Sequence, residues 1–346
     1  MNIRSKQRRP QFRIAVNSRC GRSCFYCRPS GETVAHGVSE LNIKDLLPVA
    51  SHLRARGISS AKITGGDPAL YGQLEELVHE LKHGLMFEHI EVISRHPAIG
   101  TKATGLIAAG LDQINFSLDS VDPVTYAKIT GQTDLDRLEQ AIRVFVQTGI
   151  PVKINTVFMQ GINDSEFVQI IRHCENLGVS TLKFLDVIVD MDQGMPSFSK
   201  RLAKIVPGGT LQWLYGDMSM LRAWLADCSD GCEIGTQGDL GHPMEVYRLP
   251  SGMRVVLKDS HAGAWYGDIC ANCSHFPCHD ALMALRLGPD GNLQCCLLNS
   301  EAVVRLDDVR GDSEAIAERI DLALSTYETA VFAESATYSV GGLKNA

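Results

Sequence analysis

A chain of 346 residues is long enough for roughly two ordinary domains, or for one large barrel with an appendage. Hydrophobic residues make up 45% of it and charged residues 21%, which excludes collagen-like, low-complexity and disordered classes. Its 33 basic and 40 acidic residues give a net charge of -7, so neither a generally basic surface nor a nucleic-acid partner is expected. No apolar run approaches the ~20 residues of a membrane span, so no membrane partner is expected either. The basic start MNIRSKQRRPQFRIAV is followed by no apolar export core, so a cytoplasmic protein is expected. In that reducing compartment its 11 cysteines read better as metal ligands than as a disulfide framework.

From Phe12 to about Val189, short β-rich runs alternate with longer amphipathic ones, each pair taking about 30 residues. The predicted strands are Phe12 to Val16, Ala61 to Thr64, His89 to Ser94, Gln113 to Leu118, Val152 to Val157 and Thr181 to Val187. Between them lie predicted helices at Asn42 to Arg56, Leu70 to Gly84, Thr101 to Gly110, Leu135 to Gly149 and Asp164 to Gly178. Pro48 is expected to weaken or kink the first, and Asn163 with Glu166 forms a capping pair before the last. Six such units curl into an α/β fold, a full or partial barrel with its chemistry in the loops after the strand C-termini. After about Asp190 the rhythm stops. A helix-like stretch from Thr210 to Asp227, strand-like runs at Glu245 to Leu249 and Met253 to Leu257, and a helix near Ser313 to Tyr327 mark a second unit.

Cys20, Cys24 and Cys27 form a C-x3-C-x2-C motif in the loop directly after the first strand. Three thiolates suit zinc or an iron-sulfur cluster, but zinc usually recruits a fourth local ligand and none follows within a few residues. A cluster with one iron free of protein ligands fits better. This loop, with Tyr26 before its last cysteine, resembles the cluster loop of the radical S-adenosylmethionine (SAM) superfamily. Thr64-Gly65-Gly66-Asp67-Pro68, after the second strand, is by itself ordinary turn chemistry. In this context it resembles the superfamily's glycine-rich loop, which holds the methionyl amino group of SAM. The resemblance implies one 4Fe-4S cluster, SAM as cofactor, cleavage of SAM to a 5′-deoxyadenosyl radical, and an electron donor such as flavodoxin or ferredoxin.

Further segments, RIAVNSRCGRSCFYCRP, ITGGDPALY, AAGLDQINFSLDS, YAKITGQTDLDR, VKINTVFMQGIND, VYRLPSG and LRLGPDGNLQCCL, resemble in order the GTP 3′,8-cyclase family of molybdenum cofactor biosynthesis. That family forms a C3′ to C8 bond in GTP, a lyase-type reaction on a purine nucleotide held against a second 4Fe-4S cluster. The resemblance implies a partial (β/α)6 TIM-like barrel over residues 1–195, an auxiliary-cluster domain over 196–310, and a C-terminal helix and tail over 311–346. It makes Cys20, Cys24, Cys27 and Arg286 the catalytic centre. Gly65, Gly66, Asp67, Tyr26, Ser117 and Ile188 then lie beside SAM, with Arg13, Lys62, Ser94, Lys153, Lys183 and Arg286 on the substrate side. On an isolated sequence such basic residues are usually solvated surface charges, but Arg13, Lys153 and Lys183 sit within predicted strands.

The departures are specific. The family has arginines at the positions of Lys62 and Lys183, threonine-asparagine-glycine where Ser94-Arg95-His96 stands, and methionine at Ile188. Lysine keeps the charge of arginine but loses its bidentate fork. Cys270, Cys273 and Cys296 match the second cluster's ligands, while Ala284 stands where the family has an arginine. An inserted segment adds Cys278 and His279, and Cys295 adjoins Cys296, so a fourth ligand, taken here as Cys278, is available. A fully ligated cluster has no open iron for guanine and would favour another substrate, such as a nucleoside natural-product precursor or a peptide. Structural zinc is the alternative for this cysteine group. Cys228 and Cys232 could also ligate, although the expectation is that they do not, Cys174 is expected to lie in the core, and His242, His261 and His275 have no spacing that compels a ligand role. The pair Gly341-Gly342 resembles a terminal double glycine that reaches the family's active site, although LKNA follows it here.

Overall fold

The computed structural model describes residues 9–27, 40–191, 196–236 and 239–333, so Gly341-Gly342 lies outside the described residues. The predicted strands form β1 (Gln11–Ala15), β2 (Ser60–Thr64), β3 (His89–Ser94), β4 (Gln113–Ser117), β5 (Val152–Val157) and β6 (Thr181–Leu185). Each pairs in parallel with the next. Parallel sheets need cover on both faces. Five helices supply it on one: α1 (Ile43–Ala55), α2 (Leu74–His79), α3 (Ala103–Ala108), then, beyond a helix α4 (Pro123–Thr130), α5 (Leu135–Thr148) and α6 (Phe167–Leu177). The apolar stripe of α5, Leu135, Leu138, Ala141, Ile142 and Phe145, is buried, and that of α6 includes Cys174 as expected. Gly149 and Gly178, at φ 81° and 79°, end these two helices in the left-handed conformation that favours glycine.

Four local expectations change. α1 runs through Pro48, at the loss of one backbone hydrogen bond. The stretch from Leu70 to Gly84 is broken after a 3-10 turn at Pro68–Leu70 and finishes in a π turn at Glu80–Gly84. Asn163 and Glu166 do not form a capping pair. The Asn163 side chain accepts from the Met159 amide and donates to the Asp119 and Val157 carbonyls, and Glu166 accepts from Ser120. The helix α4 was not predicted, although Asp122 caps it and Pro123 opens it.

Beyond residue 195 come α7 (Pro196–Ile205), α8 (Ser219–Cys228) and α9 (Ser313–Glu328). The single helix expected over Thr210 to Asp227 is instead a 3-10 turn, Leu211–Leu214, and α8, which restarts where Asp217 accepts from the Ser219 amide and hydroxyl. The strands here are β7 (Gly231–Gly235), β8 (Met244–Arg248), β9 (Arg254–Lys258), β10 (Ala264–Tyr266), β11 (Ala284–Leu287), β12 (Leu293–Gln294), β13 (Val303–Val304) and β14 (Val331–Ala333). β9 adds in parallel beside β6, and β11 adds in parallel beside β1. The result is a twelve-stranded sheet in the order β13-β12-β11-β1-β2-β3-β4-β5-β6-β9-β8-β7, antiparallel only at its two ends, with β10 and β14 paired separately. Its ends do not join, so the fold is a partial TIM-like barrel. Among the described residues, no helix is long and apolar enough to cross a membrane.

Candidate active site

A cavity of about 320 Å³ opens over the C-terminal ends of the parallel strands. Its wall brings together Cys20, Cys24, Tyr26 and Cys27 after β1, Gly65, Gly66 and Asp67 after β2, Ser94 and Arg95 at β3, Ser117 at β4, and Ile188 after β6. Arg13 of β1 also lines it. Residues more than 100 apart in sequence therefore share one wall because parallel strands align their C-termini.

The glycine-rich loop is held close to the first loop. A Cβ on Gly66 would lie 2.4 Å from the Arg19 carbonyl atoms, so only glycine lets these two backbones approach. Gly66 N donates to Asn17 O at 2.6 Å, and Asp67 N donates to Arg19 O at 2.7 Å. Asp67 is a strut: its carboxylate accepts from Ser94 Oγ at 2.6 Å, Arg95 N at 2.8 Å and Ala69 N at 3.0 Å. Burial pushes its carboxyl up, and these donors offset part of that rise. Ser94, expected on the substrate side, thus spends its hydroxyl on Asp67. Tyr26 donates to Asp119 Oδ2 at 2.6 Å.

Burial pushes the Cys20 thiol up to about 11 and raises that of Cys24 as well. Such thiols are weak free nucleophiles that become thiolates on binding metal. Among the described residues, no three His, Cys, Asp or Glu side chains stand close enough together to hold a single metal ion. A polynuclear cluster, whose thiolates each meet a different iron, fits three cysteines on one cavity wall better than zinc does.

The expected substrate-side cations divide. Arg13 is on the cavity wall, whereas Lys62, Lys153, Lys183 and Arg286 lie outside it. Lys62 pairs with Glu91 at 3.1 Å, and Arg286, 1% exposed, pairs with Asp280 at 3.4 Å. Burial and then Lys62 push Lys153 down to about 8; Lys183 is lowered by burial first and then by Lys153 and Lys62. Several cations in this interior therefore repel one another, which suits a polyanion nearby. Sequence reasoning missed Arg22, Asp186, Arg201, Lys258 and Asp280 on the wall. Lys258 and Asp186 pair at 3.0 Å and end β9 and follow β6, a position that could have been read as functional had β9 been placed in the barrel.

A second, small cleft is lined by Cys270, Cys273, Cys278 and Cys296 and shares no lining residue with the large cavity. Backbone amides of Ala281 and Asn299 donate to the sulfurs of Cys278 and Cys296, both at 3.4 Å. Cys295 faces the other way, toward Ala323 and Thr326 of α9. His279 is engaged by Asp190, at 2.6 Å from Nδ1.

The Radical SAM superfamily profile matches residues 14–174. Over 312 residues the chain is 30% identical to a probable GTP 3′,8-cyclase of Saccharolobus solfataricus, covering 89% of this chain and 90% of that one. The chain belongs to the radical SAM superfamily. It is a radical SAM enzyme, similar also to the GTP 3′,8-cyclase of Petrotoga mobilis, at 27% identity over 90% of this chain and 89% of that one. The anSMEcpe structure with bound AdoMet shares the fold, with a TM-score of 0.53 at 13% identity over 91% of this chain and 83% of that one. So does Streptococcus suis SuiB bound to S-adenosylmethionine, with a TM-score of 0.54 at 12% identity over 84% of this chain, which spans 60% of that longer one. Radical SAM enzymes carry a 4Fe-4S cluster and bind SAM, and the cysteine wall with its glycine cradle fits both.

Proposed function

We propose that this radical SAM enzyme forms a carbon-carbon bond in a purine nucleotide, in the manner of the GTP 3′,8-cyclases of molybdenum cofactor biosynthesis. The observation that carries this reading is likeness to those enzymes over about nine-tenths of both chains. The cationic wall supports it. Cys20, Cys24 and Cys27 would hold the 4Fe-4S cluster, which would supply the electron for reductive cleavage of SAM, with a flavodoxin or ferredoxin as the electron donor. Tyr26, Gly65, Gly66, Ser117 and Ile188 would line SAM, with Asp67 fixing the loop. Arg13 and Lys258 on the wall, with Lys62, Lys153 and Lys183 behind it, would set a field that attracts a triphosphate.

We assign a second 4Fe-4S cluster to Cys270, Cys273, Cys278 and Cys296. Four protein thiolates leave no open iron, and the cleft is separate from the cavity. The four cysteines gathered in one cleft apart from the cavity support a second reading, in which the same radical machinery acts on a nucleoside natural-product precursor or a peptide and the auxiliary cluster serves electron transfer or structure. Both are tested by anaerobic reconstitution with SAM and dithionite, with and without GTP, followed by mass spectrometry. GTP-stimulated 5′-deoxyadenosine with conversion of GTP to an isomer is the expected outcome. SAM cleavage indifferent to GTP would overturn the nucleotide reading in favour of the second.

A further inference from the structure

The residue after β3 carries a guanidinium into the cysteine wall. Arg95 Nη1 lies 2.7 Å from Cys24 Sγ, while Nη2 lies 2.6 Å from the Tyr26 hydroxyl and 3.2 Å from Asp119 Oδ2. Its backbone is fixed as well, with its amide on Asp67 Oδ2 at 2.8 Å and its carbonyl accepting from Arg22 at 3.3 Å. The Arg95 side chain is 14% exposed and that of Asp119 only 1%. Asp119 in turn receives the Val157 amide on its other oxygen at 2.9 Å, so the carboxylate that orients the guanidinium cannot turn away. One terminal nitrogen of the fork, Nη2, is thus paired with Asp119 and Tyr26, and the other, Nη1, points at sulfur.

We propose that Arg95 is a positioning residue for the radical SAM cluster, donating to the Cys24 thiolate so that the cluster is easier to reduce. A neutral thiol is a poor acceptor, whereas a cluster thiolate carries charge and accepts well. Reduction adds one negative charge to the cluster. A fixed cation in a buried, weakly screened site stabilises the reduced form more than the oxidised form, and hydrogen bonds to cluster sulfurs act in the same direction. Both effects raise the potential. Arg95 stands in the segment Ser94-Arg95-His96, where the cyclase resemblance gives threonine-asparagine-glycine, so this is a property of this chain and not of the motif.

The inference rests on the cluster at Cys20, Cys24 and Cys27. Its absence from the reconstituted wild-type enzyme would refute that assignment separately from the role of Arg95. The test is an anaerobic potential titration of the full chain, followed by electron paramagnetic resonance, in which the relevant cluster is the one whose signal changes on adding SAM. Arg95→Leu should move that midpoint to lower potential and leave the auxiliary cluster where it is. Arg95→Gln, which keeps a donor for Asp119, should shift the same way, and Arg95→Lys by less. Where loss of the guanidinium prevents cluster loading, the Lys variant alone decides, because it keeps Asp119 paired. An unchanged midpoint in fully loaded variants overturns the proposal. So does weakened SAM binding with an unchanged midpoint, which would put the guanidinium on the cofactor instead of the sulfur.

Discussion

Cys295 and Cys296 are adjacent, and chemically nothing distinguishes them. Their placement does, because neighbouring residues leaving a strand point to opposite sides. Cys296 follows β12 into the small cleft with Cys270, Cys273 and Cys278, and Cys295 turns onto α9, where Tyr327 also donates to the Cys295 carbonyl at 2.8 Å. In the reconstituted enzyme Cys278→Ser should lose roughly half of the iron, as one of two 4Fe-4S clusters, whereas Cys295→Ser should retain it. Iron and acid-labile sulfide analysis reads the difference, and equal losses would remove Cys278 from the ligand set. The sequence narrowed the fourth ligand to Cys278, His279 or Cys295. It could not go further, because the choice depends on side-chain direction in an irregular segment with no periodic pattern.

At the scale of elements, the strands β2, β3, β4 and β5 carry a buried polar layer. Glu91 of β3 pairs with Lys62 of β2 and accepts from Asn115 of β4 at 2.6 Å. Burial pushes the Glu91 carboxyl up, but Lys62, Asn115 and Lys153 more than offset it and hold it at about 2, below its ordinary 4.5. A carboxylate depressed in the folded state stabilises the fold fully above its unfolded value. That contribution is lost as pH falls from about 4.5 to about 2. Glu91→Gln leaves Lys62 without its buried carboxylate and should cost about 3 kcal/mol at pH 7. In denaturant unfolding, the gap between wild type and variant should narrow as pH falls through that window, and a gap independent of pH would show that the charge of Glu91 is not what stabilises. The alternation in HIEVIS made β3 legible in sequence, and it placed Glu91 on one face of the strand. Its partners on other strands were not legible, since register joins residues that share no local pattern.

For the molecule as a whole, the segment beyond residue 195 supplies neighbours to both flanks of the six-stranded core. β11 covers β1, β9 covers β6, and α9 packs on α1, where Arg56 meets Asp321. A chain ending at residue 191 would expose both strand edges and the faces beneath them, so it should partition into aggregates where the full chain stays dispersed. Size-exclusion chromatography of the two checks this, and a dispersed, cooperatively folding fragment would show that the first six units stand alone. By itself the sequence determined the six strands, most of their helices, the two cysteine groups and the glycine-rich loop, because periodicity, turn residues and short spacings are local properties written along the chain. Tertiary structure decided that β9 and β11 extend the same sheet, that Arg95 reaches Cys24, and that Cys278 rather than Cys295 joins the small cysteine-lined cleft. Those outcomes follow from strand order and from the competition of buried polar groups for partners, which exist only once distant segments have packed.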